Sequence, residues 1–241
     1  MIWGHTPVME YSILLLLIII GFAALLCIYI PLRYLAKLGM HTPGTQRYGL
    51  FFAGTGIGYL AIEIALLQKF GLFLGHPNYA LSVVLASLLL TSGLGSLFSG
   101  TIIKALREVR FVSYTLAALI LLEYGLVFPR LLAMIVLPFW VRTLIVCVLV
   151  APIGLCLGTF VPSALEGLKS TAPAFVPWAW GINGIFSVLA PVLSVGFSMT
   201  WGINALLLAA IPIYLLVGWV LPKLSETPAV VHDLTMSTVE S

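Results

Sequence analysis

Seven runs of roughly twenty apolar residues, separated by short polar breaks, dominate this chain. A run of that length is what a helix needs to cross the hydrocarbon core of a bilayer. The runs are Tyr11–Leu32, Tyr48–Phe70, Asn78–Phe98, Phe111–Phe128, Thr143–Leu165, Phe175–Met199 and Trp201–Leu221. Inside lipid the backbone polar groups have to be satisfied within the protein, which a helix does by itself. The sequence therefore predicts an all-α fold: a polytopic transmembrane bundle of about seven spans over residues 1–221, followed by a polar tail over 222–241. Composition agrees. Apolar residues make up 61% and charged residues 8%, against about 25% charged in an average soluble domain. So few charges cannot cover a soluble surface, which excludes a soluble enzyme, a disordered chain and a secreted disulfide scaffold.

The breaks between runs carry information. Pro129–Trp140 is apolar but too short to span, and its prolines at 129 and 138 predict an interfacial or re-entrant piece. Thr200–Gly202 leaves room only for a tight turn. Lys and Arg collect in alternate breaks: Arg33, Lys37, Arg47, Lys104, Arg107, Arg110, Lys169 and Lys223 against Lys69, Arg130 and Arg142. Eight against three predicts that the first set is cytoplasmic. A bacterial inner membrane protein with its N-terminus outside and its C-terminus inside is expected, with Trp201 as an outer-interface anchor. The first run has no preceding base and exceeds the length of a signal-peptide core, so it reads as a retained span.

The net charge of +3 arises from loop bases and gives no support to nucleic-acid binding. Cys27, Cys147 and Cys156 lie in apolar runs without metal-site spacing and read as packing residues. His5, His41, His76 and His232 are terminal or in loops, so no haem ligand pair is expected within spans. No cofactor and no metal site is expected.

Glu63 is the most informative side chain. It stands 15 residues into the second run, where a carboxylate costs roughly 2.5–3.5 kcal/mol on insertion scales. It should face the bundle interior, within reach of a polar atom from another span; Ser92 and Asn183 are the candidates. Glu123 reads as an interfacial carboxylate that Arg130 could approach. His76, in Gly75-His76-Pro77, is a candidate contact at the mouth of the bundle or a turn residue before the third helix. Small residues four apart, Gly54 with Gly58 and Gly154 with Gly158, mark close helix packing, as do Ser92, Ser96 and Gly100. The sixth run, with Pro177, Gly181, Gly184 and Pro191, should be the least regular, and Trp178 and Trp180 read as interface anchors.

Three segments resemble a known family. They are the stretch from Gly56 to Gly100 with Glu63 and Gly-His-Pro, the PIGLCLGTFVPSAL segment, and FVPWAWGINGIFSVLAPVLSVGFSM. Together they resemble the C-terminal membrane module of bacterial spermidine-synthase-like membrane proteins, over roughly residues 9 to 221. In that family a Rossmann-type transferase domain commonly accompanies the membrane helices. Here no strand–Gly-rich turn–helix unit occurs, so the resemblance implies the membrane module without the transferase activity. A second likeness is to a six-helix half of a major-facilitator transporter, with one extra helix before it. The loop GSLFSGTIIKALREVR is similar to the glycine-and-basic loop of that class but lacks its aspartate.

Three readings of function follow. The first is a non-catalytic integral subunit or anchor that stabilises a larger assembly with other membrane subunits or a separately encoded soluble partner. The second is a small-solute transporter acting as a homodimer of six-helix halves, with Glu63 as its polar site. An intramembrane enzyme is the third, and no Ser–His pair, HExxH or acidic pair within one span supports it.

Overall fold

The computed structural model describes residues 7–35, 45–106 and 108–221. The polar tail and the residues His5, Lys37, His41, Arg107, Lys223 and His232 lie outside them. Among the described residues every regular element is helical, and seven helices are long and apolar enough to cross a membrane.

We number these helices α1 to α7. α1 runs over Pro7–Ala24, passes through a π turn at Leu25–Tyr29 and continues over Ile30–Leu35. α2 is Gln46–Leu74 and α3 is Pro77–Leu97. α4 runs over Val109–Leu122, through a π turn at Glu123–Val127, to Phe128–Leu131. α5 is Phe139–Thr171, α6 is Val176–Trp201 and α7 is Ile203–Val220. A short helix, Ser99–Leu106, links α3 to α4.

The two π turns have one cause. Each is followed after one residue by a proline, Pro31 or Pro129. A proline ring clashes with the carbonyl four residues back and offers no N–H to it. Widening the turn before the proline relieves that clash and lets the helix continue. The expected interfacial piece at 129–140 is accordingly not a separate element. Residues 128–131 prolong α4, where Phe128 and Leu131 are buried in the core. A 3-10 turn at Leu132–Met134 and Pro138 then lead into α5.

α6 is also more regular than the sequence suggests. Pro177 sits in its first turn, where no donor is lost. Pro191 lies inside a helix that runs unbroken to Trp201. Gly202, at φ +90, then forms a joint to α7 in a backbone region that side chains rarely adopt.

The packing places α2 at the centre, against α3, α5, α6 and α7. α3 lies along α5, and α4 packs on α5 and α7. α1 is the extra helix, docked on α6, where Gly181 and Gly184 admit Ile28 and Leu32 and the Tyr29 ring meets Trp178 edge-on at 5.9 Å. Trp178 is thus buried in the α1–α6 seam and is not an interface anchor; Trp180 is exposed.

Side-chain pairs fix which helix ends lie together. Tyr48 meets Thr171 across 3.4 Å, and Trp219 Nε1 donates to Tyr114 at 3.0 Å beneath the Arg110 guanidinium. This is the basic end. At the far end Phe70 meets Phe128 edge-on at 6.0 Å, the Tyr79 and Phe139 rings lie tilted at 4.8 Å, and Arg142 Nη1 donates to Phe73 O at 2.8 Å.

Candidate functional site

The glycine string at the start of α2 organises the polar interior. A Cβ at Gly54 would come within 2.6 Å of Val217, and one at Gly58 within 2.7 Å of the Tyr214 ring, so both glycines seat α7. A Cβ at Gly56 would stand 2.7 Å from the Asn183 backbone oxygen, so Gly56 seats α6. That close approach lets the Asn183 side chain reach α2. Its Nδ2 donates to Phe52 O at 3.1 Å and to Thr55 Oγ1 at 3.2 Å, while Thr55 Oγ1 donates to Phe52 O at 3.1 Å.

Beside this junction lies a chamber of about 140 Å³ between α2, α5, α6 and α7. Thr55, Tyr59, Asn183, Ser187 and Tyr214 give it polar groups, and Leu60, Leu157 and Val161 give it apolar walls. Tyr59 lies beside the Ser92 side chain of α3 and stands one turn before Glu63 on α2. Beyond Glu63, on the same side of α2, a mostly apolar groove of about 530 Å³ opens between α2 and α3. Leu67, Gln68, Gly71, Pro77 and Leu81 line it.

The expected trio of Glu63, Ser92 and Asn183 is therefore only partly brought together. Glu63 is half-buried, past the midpoint of α2, and makes no hydrogen bond among the described residues. Ser92 is near Tyr59, and its hydroxyl donates to Leu89 O at 3.4 Å. Asn183 is bound at Thr55, eight residues from Glu63, or about 12 Å of helix rise. It bridges helices and does not reach Glu63. Tyr59 was the missed residue. Its place four residues before Glu63, on one face of a helix, is the signal that could have found it. Tyr214 was missed as well; a tyrosine well inside a leucine-rich span, away from the interface, is an unusual placement.

Other expectations resolve in the same way. His76 caps α3: its Nδ1 accepts from Asn78 N at 3.2 Å, and its ring lies against Tyr79 at the rim of the groove. Gly154 and Gly158 are in tight contact with Thr91 and Ser92 on α3, as Gly95 is with Leu155. Ser96 and Gly100, by contrast, are exposed. Glu123 is buried against its neighbours. Because α4 continues to Leu131, Glu123 lies deeper than its run implied, 3% exposed, with Oε2 lacking a partner. Arg130 does not meet it but donates to Leu126 O at 2.7 Å. Lys69 places its ammonium 4.9 Å from the centre of the Phe128 ring. Among the described residues no three of His, Cys, Asp and Glu gather as metal ligands. The chain matches no family model, no curated protein and no solved structure.

Proposed function

We propose that this chain is a non-catalytic integral membrane subunit that works by association, holding or stabilising a larger membrane assembly. One observation carries the reading. Glycines at helix contacts in this bundle are used: Gly54, Gly58, Gly95, Gly154 and Gly158 each have another helix against the place of a Cβ. Gly93 and Gly100 on and just after α3 have nothing within 4 Å there, and Ser82, Ala86 and Ser96 join them on the exposed side. A glycine facing lipid gives up both helix propensity and lipid contact. Facing a second helix, it allows close backbone approach. The likeness to spermidine-synthase-like membrane modules, which accompany a soluble domain, points the same way. The setting is a bacterial inner membrane with the basic end in the cytoplasm.

The test is purification of the full chain in mild detergent. Stoichiometric foreign subunits, lost in Gly93→Leu and Gly100→Leu, are the expected result. A monodisperse monomer insensitive to both changes would remove the support for this reading.

A second reading, a small-solute transporter built as a homodimer of six-helix halves, draws on the polar chamber next to Glu63. Solute flux in proteoliposomes containing this chain alone, abolished by Glu63→Gln, would favour it over the first.

A further inference from the structure

We propose that Glu63 is a proton-binding site served by the hydrated chamber at the α2–α6 junction, with Tyr59 as the relay between them. The inference goes beyond the association reading and does not depend on it.

The chamber has the size and the chemistry to hold water. At about 30 Å³ per molecule, 140 Å³ takes roughly four waters. Polar atoms converge on it without protein partners. Both amide hydrogens of Asn183 are used on Phe52 O and Thr55 Oγ1, so its Oδ1 remains as an acceptor. Among the described residues Ser187 Oγ and the Tyr214 hydroxyl have no hydrogen-bond partner, and neither is sealed from solvent-sized space. A water needs two to four such groups, and these supply them.

Glu63 itself does not line the chamber. Tyr59 does, and it stands one turn from Glu63 with Ser92 beside it. The chamber lies in the half of the bundle nearer the basic end, beside residues 55–60 of α2. The apolar groove lies in the other half, beside residues 67–71. Glu63 sits between the two on one side of the helix. A carboxyl at that depth with no protein hydrogen bond is satisfied by taking a proton or by water, and the chamber brings both.

The transfer conserves protons. A hydronium in the chamber gives a proton to the Tyr59 oxygen as the Tyr59 hydroxyl proton passes to a bridging water, which in turn gives one of its own protons to a Glu63 oxygen and is left unchanged. One O–H bond forms on Glu63, Tyr59 regains the proton it lost, and a neutral water remains. Release runs in reverse. Few other titratable groups face this point. α6 carries none, and α3 carries only Tyr79, at the far end. α7 offers Tyr214. α5 offers Cys156 beside Leu157 and, nearer its ends, Arg142, Cys147, Glu166 and Lys169. α4, which meets α2 at Phe128, adds Glu123 and Tyr124 and, nearer its ends, Arg110, Tyr114 and Arg130, and α2 itself carries Lys69 over the Phe128 ring. No fixed counter-charge in hydrogen-bond contact holds Glu63 ionised.

The test is infrared difference spectroscopy on the full chain in phosphatidylethanolamine–phosphatidylglycerol liposomes, following proton–deuteron exchange after transfer to heavy water. A carboxyl band that titrates with bulk pH, disappears in Glu63→Gln and persists in Glu63→Asp is expected. Its exchange should slow about tenfold in Tyr59→Phe, the rate equivalent of one lost hydrogen-bonded link. Val161→Phe, which fills the chamber and leaves Tyr59 in place, should slow it as well. Size-exclusion profiles and the amide band report whether each variant is folded. Absence of a titrating Glu63 band, or unchanged exchange in either folded variant, overturns the proposal.

Discussion

Gly93 and Gly158 are the same residue type in opposite surroundings, one open and one pressed against the Ser92 backbone. An alanine methyl at position 158 has nowhere to go, because the atoms it meets belong to a backbone. Gly158→Ala should destabilise the bundle by about 1–3 kcal/mol, the usual cost of overpacking, while Gly93→Ala should not destabilise the isolated chain and should gain up to about 1 kcal/mol of helix propensity. Thermal unfolding of the two variants in detergent checks the contrast. Asn183 gives a second test. Asn183→Leu removes two interhelical bonds to α2, and a loss of about 1 kcal/mol is expected from polar contacts of this kind. Denaturation in mixed detergent micelles measures it. The rotational setting of each helix, which decides the partner of Glu63, was not legible in the sequence. It depends on which neighbour each glycine admits, and Gly56 turned Asn183 toward Thr55.

α2 ends where its closing residues say it should. Gly75, at φ +84, returns its N–H to Gly71 O, and Arg142 from α5 donates to the nearby Phe73 carbonyl. A cation at a helix C-terminus satisfies a carbonyl that has no intrahelical partner and complements the helix dipole. Arg142→Ala should cost about 1.5–3 kcal/mol, as charge-assisted bonds do; Gly75→Ala, forced into the left-handed region, should cost about 1 kcal/mol. Amide hydrogen exchange over residues 70–75 should rise in both variants, and unchanged protection would show that the cap contributes nothing. Position and number of the helices were readable because each apolar run matches the bilayer. Their ends were less so. α2 and α5 run past their apolar cores into Gln46 and Arg47 and into Glu166–Thr171, where polar side chains suit an aqueous helix end as well as a loop. The π turns were hidden because a proline in an apolar run is equally compatible with a break.

For the whole molecule, the charge asymmetry between the two ends makes a prediction about orientation. A cysteine placed at position 76 should react with an impermeant thiol reagent on intact cells, and one at position 104 should not; reaction at 104 would reverse the assignment. The docking of α1 has a consequence in time. Of the seven spans it is the most apolar and the least buried, and its partner α6 begins at Val176, more than a hundred residues after α1 ends at Leu35. During synthesis α1 therefore enters the bilayer well before its main partner, the sixth span, emerges. A sequence that rests comfortably among acyl chains, with no charged residue between Tyr11 and Leu32, suits a segment inserted long before it is packed. Substitutions on its α6-facing side should then impair maturation of the finished bundle without impairing membrane insertion.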